Sequence, residues 1–243
     1  FYLSLINAST RVSFSRPGEM MRIPNVDYSL SRKLLNINIS HESLSKKQGN
    51  SSFSINTTSK SGAQFGISLA TPANPTNSTE LGLHYQKNIF INGNIAMNWG
   101  VHDIVFRQGG YSTSGLDTRD VSFFLVLSNQ REIKYYTIST YFGLGTGKIV
   151  QYSQLENIDT KQSIGVFFGF QFKTPILRKE NGLTILTEFD GSGINLGLRI
   201  PLMKLYQINL GITHFNNFGN YGTEDKSEPD YEILQNDAPA ISM

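Results

Sequence analysis

The sequence predicts an all-β protein: a transmembrane, antiparallel, up-and-down β-barrel of about 12 strands with a polar C-terminal tail. Three observations predict it. Apolar and polar residues alternate with a period of two through most of the chain, the mark of strands with unlike faces. Charged residues are only 16% of the chain, against roughly 25% in average soluble domains, yet mean hydropathy is −0.23. Asn, Ser, Thr and Gly supply the polarity instead, which suits a wall with lipid on one face and water or polar filling on the other.

The elements follow in order. Leu35, Ile37 and Ile39 alternate with Asn36, Asn38 and Ser40; Phe53 and Ile55 with Ser54 and Asn56; Phe65, Ile67 and Leu69 with Gln64, Gly66 and Ser68. Leu81, Leu83 and Tyr85 alternate with Gly82, His84 and Gln86, and Lys87-Asn88 reads as a tight turn. The next strand carries Ile89, Ile91, Ile95, Met97 and Trp99, with Phe90 breaking its pattern. Residues 121–128 and 134–145 are strands of looser alternation, and Ile164, Val166, Phe168, Phe170 and Phe172 share one face of another. Leu183–Asp190, Ile194–Ile200 and Tyr206–Thr213 complete eleven, and residues 103–107 or 10–15 supply a twelfth. A two-residue turn at Gly191-Ser192 pairs Phe189 with Ile194 and Glu188 with Asn195; a turn around Leu202–Lys204 pairs Leu198 with Ile208.

The expected organisation is an N-terminal lead-in over 1–32, a barrel over 33–218 and a polar acidic tail over 219–243. Long loops at 43–50 and 72–78 alternate with short turns, but the linker at 146–161 is long where a short turn is expected. Aromatics at Tyr85, Phe90, Trp99, Tyr135, Tyr136, Tyr141, Phe172, Phe189, Tyr206 and Phe215 are read as interfacial girdles. Phe1 in place of Met reads as a processed or partial chain.

With the apolar face outward, the lumen receives Asn36, Asn38, Glu188, Asp190, Asn195, Arg199, Gln207 and Asn209, a polar network and candidate pore lining. The segment Thr187–Arg199 resembles the Glu-aromatic-Asp-Gly…Asn-x-Gly-x-Arg hairpin of the YjbH-like outer-membrane proteins linked to exopolysaccharide production and export. The matching residues are Glu188, Phe189, Asp190, Gly191, Asn195, Gly197 and Arg199, and Ile23–Tyr28 also looks like the lead-in to such barrels. The resemblance implies an outer-membrane location and an envelope or polysaccharide role, without catalytic residues.

Other chemistries find little support. The chain has no cysteine, and its scattered basic residues with a net charge of +2 argue against nucleic-acid binding. Gly143–Lys148 has the wrong glycine spacing for a phosphate loop, and Ile149 stands where a Mg²⁺-binding hydroxyl belongs. His41, His84, His102 and His214 lie far apart, so no metal or cofactor is expected. His102-Asp103 is the one candidate for a hydrolytic dyad, and a soluble β-sandwich is the alternative fold. The expectation is therefore a non-enzymatic barrel of the bacterial outer membrane, a channel or an anchor. Its partners would be the lipid bilayer and envelope proteins met through the loops or residues 224–243.

Overall fold

In the computed structural model, the described residues are 12–26, 35–44, 50–71, 79–107, 115–117, 121–147, 164–217 and 239–243. The strands among them are β1 (Leu35–Leu44), β2 (Asn50–Thr58), β3 (Ala63–Thr71), β4 (Glu80–Asn92), β5 (Ile95–Arg107), β6 (Gly115–Asp117), β7 (Ser122–Ile133), β8 (Tyr136–Gly145), β9 (Gly165–Lys173), β10 (Thr184–Phe189), β11 (Ile194–Pro201), β12 (Gln207–Thr213) and β13 (Ala240–Ser242). All pairings are antiparallel, and β4–β5 together with β1–β13 close the sheet into a ring of twelve; β6 adds only to β5.

The closed ring excludes the sandwich. Along the middle of β2 and β3 and the first half of β7, buried and exposed residues alternate, and the exposed ones there are apolar: Phe53, Ile55, Phe65, Ile67, Leu69, Phe123, Leu125 and Leu127. Ile39 is 81% exposed, while Ser40 beside it is buried. The polarity of an ordinary globule is thus reversed, as an outward apolar face requires.

The twelfth strand is neither of those expected. Residues 103–107 continue β5, and residues 12–15 lie inside the barrel, with 10 and 11 outside the described residues. Ala240–Ser242, assigned from sequence to the tail, pairs with β1 on one side and β12 on the other. Three residues are too short for alternation to register, so only closure reveals this strand. Residues 219–238 of the expected tail lie outside the described residues.

Counting 103–107 within β5 also restores the loop alternation. The connections at 59–62, 93–94, 134–135, 174–183 and 202–206 share one end of the barrel. Those at 45–49, 72–79, 108–121, 146–164, 190–193 and 214–239 share the other. The long linker after β8 therefore belongs where it stands; residues 148–161 of it lie outside the described residues.

Two further corrections concern turns. Lys87-Asn88 is not a turn: both residues pair across to Trp99 and Asn98, and the chain reverses at Gly93-Asn94. A bulge between Asn88 and Phe90 explains why Phe90 broke the pattern. The β10–β11 register is as expected, but β11–β12 is shifted by two, pairing Leu198 with Leu210 and Arg199 with Asn209. A two-residue shift leaves every side chain on the same face, so patterning cannot detect it. The tight turn Met203–Tyr206 decides it.

Candidate functional site

The lumen is occupied by the chain's own residues 12–26. This segment doubles back on itself through Phe14 N–H to Met21 O (2.8 Å), Met20 N–H to Ile23 O (2.9 Å) and Asn25 N–H to Gly18 O (2.7 Å). Every residue in it is buried except Gly18 and Asn25, which are half-buried. The wall holds this plug by an apolar contact and by charge.

The apolar contact joins Phe14, Met20, Met21, Ile23 and Val26 to inward-facing Ala96, Phe124, Val126, Tyr141, Phe167 and Leu186. The lumen is therefore not uniformly polar, and Tyr141 belongs to it rather than to an interfacial girdle. Each fully buried side chain of this kind contributes about 1.5–3 kcal/mol. Glycines make room for the plug. A Cβ on Gly197 would lie 2.6 Å from Met21 Sδ, and one on Gly169 would lie 2.5 Å from Met20 Sδ.

The charged contacts form three clamps. Arg16 Nε donates to Asp103 Oδ1 at 2.6 Å, and its Nη1 reaches Glu19 at 3.2 Å. Asp103 faces inward because β5 bulges there: between the pairs Leu83–Ile104 and Tyr85–Val101, His102 and Asp103 together oppose His84. Both are buried, and Asp103 adopts φ +60°. Aspartate tolerates that left-handed conformation, and a bulge of this kind re-aims a side chain.

In the second clamp Arg22 binds Glu42 through a charged hydrogen bond, with Asp190 3.9 Å away. Glu42 also accepts from the N–H (3.0 Å) and Oγ (3.1 Å) of Ser13. Burial works against charge on Arg16 and Arg22. The carboxylates beside them outweigh it and hold both guanidiniums above their ordinary pKa.

The third clamp is built by residues named from sequence. Glu188 accepts from the amides of Met21 (3.1 Å) and Arg22 (2.8 Å), and Arg199 Nη2 donates to the carbonyls of Glu19 (2.5 Å) and Met20 (2.6 Å). The two charges do not meet each other; they hold opposite sides of one plug turn. Successive amides converging on a carboxylate form an anion nest. Asn195 positions Glu188 (3.0 Å) and Asp190 (3.0 Å) through its amide nitrogen, while its oxygen accepts from His214 N–H at 2.8 Å. Asp190 also receives Ser192 N–H (3.2 Å) and Gly193 N–H (3.0 Å), which tightens the hairpin tip where Gly191 has φ +94°.

Of the remaining expected lining residues, Asn38 reaches Phe14 O at 3.4 Å. Gln207 and Asn209 bond each other at 3.1 Å, and both Gln207 and Asn36 are exposed toward the short-turn end, away from the plug. Sequence reading missed Arg16, Glu19, Arg22 and Glu42, and took Asp103 for half of a hydrolytic dyad rather than the partner of a plug cation. The available signal was charge: Glu42 and Glu188 at inward positions of a charge-poor wall require cations, because an unpaired buried charge is costly.

The hydrolytic reading meets a different geometry. Asp103 gives its carboxylate to Arg16, and His102 packs edge-on against His84 (5.4 Å) and Phe124 (4.8 Å). His84 Nε2 lies 2.8 Å from Ser68 Oγ, but its Nδ1 accepts Asp103 N–H at 3.2 Å. That bond places the ring proton on Nε2, facing Ser68, so this tautomer offers Ser68 no base. Closure gathers His84 and His102 but not His41 and His214. Among the described residues no group of three or more acidic, histidine or cysteine side chains is arranged to hold a metal ion.

Glu188→Gln keeps the shape but removes the charge from the bonds to Met21 and Arg22, each worth about 1.5–3 kcal/mol. Amide exchange at those two residues is expected to accelerate about ten- to a hundredfold. Unchanged protection in the variant would contradict the clamp.

Fold and site define a class: a twelve-stranded antiparallel barrel, apolar outside, filled by its own N-terminal segment. No protein-family model, curated protein or solved structure matches the chain.

Proposed function

We propose that this protein is a bacterial outer-membrane β-barrel that acts as a closed anchor in an envelope or surface assembly, not as an open porin. The carrying observation is the reversed polarity of the wall. Leucine, isoleucine and phenylalanine project outward all around the ring, whereas Ser, Asn, Gln, His and Glu are buried within. Such a surface is compatible with hydrocarbon and incompatible with water, where contiguous apolar patches of that extent drive association. The short turns would face the periplasm. The envelope role draws on the likeness of the Thr187–Arg199 hairpin to YjbH-like proteins and on the filled lumen, which favours attachment over conduction. A second reading, a channel opened by withdrawal of residues 12–26, is favoured by the charged clamps, since polar contacts can be exchanged for water or for a partner.

Trp99 tests the membrane assignment. It is the only tryptophan of the chain, lies on the outward face and is 40% exposed, beside Tyr85. In vesicles of lipids with brominated acyl chains its fluorescence is expected to be strongly quenched relative to unbrominated vesicles, and the folded protein should migrate differently on gels before and after heating. Equal emission in both vesicle types would sink the assignment.

A further inference from the structure

We propose that the short-turn rim from β7 to β12 binds anionic phospholipid headgroups. The inference rests on the membrane reading above and names the lipid chemistry that the barrel would select. Three neighbouring connections build the rim: 134–135, 174–183 and 202–206. They and the adjoining strand ends carry Arg131, Lys134, Lys173, Arg178, Lys179 and Lys204, against only Glu132 and Glu180. The other two connections at this end, 59–62 and 93–94, add only Lys60, so among the described residues of this end the positive charge is concentrated on one arc.

Apolar side chains stand among these cations. Tyr135, Ile176, Met203, Leu205 and Tyr206 are all more than half exposed, Leu205 reaching 84%. A turn bathed in water has no use for Leu-Met-Lys-Leu-Tyr, whereas one at the boundary between acyl chains and headgroups does: apolar tips enter the chains and cations meet phosphates. The rim is partly ordered in advance, because the Arg178 guanidinium lies 4.8 Å from the Tyr135 ring centroid and Lys173 Nζ donates to Asn181 at 2.6 Å. The apolar tips continue the outward belt through Ile133, Tyr136 and Ile208, which are also exposed. The sign of the charge calls for an anion, and the continuity with the apolar belt favours the leaflet over a soluble acidic protein as its source. A cleft of about 500 Å³ between Gly93-Asn94 and Gln130–Ile133 adjoins the same charge cluster at Arg131.

The experiment compares spin-labelled phosphatidylglycerol with spin-labelled phosphatidylcholine around the reconstituted full chain. The expected result is a preference of about three- to tenfold for phosphatidylglycerol, collapsing toward one in 1 M salt, where the screening length is about 3 Å. The variant Lys134→Gln/Arg178→Gln/Lys179→Gln/Lys204→Gln should lose that preference while keeping the heat-modifiable migration of the folded barrel. Equal association of both lipids with the native chain, or a preference retained by the folded variant, would overturn the proposal. So would capture of soluble poly-glutamate without any lipid preference, which would point to a protein partner. Trp99 quenching separates the two levels: quenching without lipid preference overturns the rim alone, and absence of quenching overturns the membrane reading beneath it.

Discussion

Arg22→Ala is expected to release the plug and turn an electrically silent barrel into a conducting one. The guanidinium is buried between Glu42 and Asp190, which are themselves almost wholly buried. Truncation leaves both carboxylates in place. Glu42 keeps Ser13, and Asp190 keeps Ser192, Gly193, Asn195 and the His214 ring 3.6 Å away, but neither keeps the guanidinium. Breaking a buried pair from one side costs about 3–5 kcal/mol. The plug must absorb that cost locally, because the wall is held by its own continuous ladder of strand pairings. The cysteine-free chain allows a direct reading. Val12 is buried and apolar, so Val12→Cys reports plug withdrawal by maleimide labelling. Adding Arg22→Ala should accelerate labelling by about a hundredfold or more, with 1.4 kcal/mol per factor of ten. Discrete current steps should appear in planar bilayers. Slow labelling and continued silence would mean that the apolar contact alone holds the segment, and the clamp account would fail.

The second large effect is expected at Gly143. It pairs with Phe167 across β8 and β9, and the Phe167 ring lies over its bare Cα. A Cβ there would sit 2.0 Å from one ring atom and 2.2 Å from another. Gly143→Val therefore forces Phe167 out of the lumen position where it is fully buried against the plug. The loss should approach that of Phe167→Ala, about 3–5 kcal/mol, plus strain in the wall. Removing the ring removes the conflict. The double variant Gly143→Val/Phe167→Ala should thus be no less stable than Phe167→Ala alone, by the denaturant midpoint of the heat-modifiable band. Additive losses would show that the two positions do not share one space.

Much of the wall was legible in the sequence because alternation reports a local fact, the side on which each residue stands. Glu188, Asn195 and Arg199 could be placed in their β10–β11 register because a two-residue turn at Gly191-Ser192 admits only one, although the plug groups that Glu188 and Arg199 bind could not be read from it. Where the turn is less constrained, between β11 and β12, alternation leaves a two-residue ambiguity, and the register lies two residues from the expected one. Bulges hid in the same way. Phe90 betrayed one by breaking the pattern, while the role of Asp103 was misread because its inward aim depends on a backbone rotation rather than on position in the alternation.

The sequence alone therefore determined a wall of strands with an apolar and a polar face, and the tight hairpin that carries Glu188 and Asn195. Tertiary structure decided what fills that wall and what closes it. The plug's one alternating stretch, residues 10–15, reads as a wall strand, and its partners lie far along the chain, 87 residues away for Arg16 and Asp103 and 166 for Arg22 and Glu188. The closing strand is three residues long. Neither leaves a local signature, since a charge facing inward specifies that it needs a counter-charge but not which distant segment supplies it.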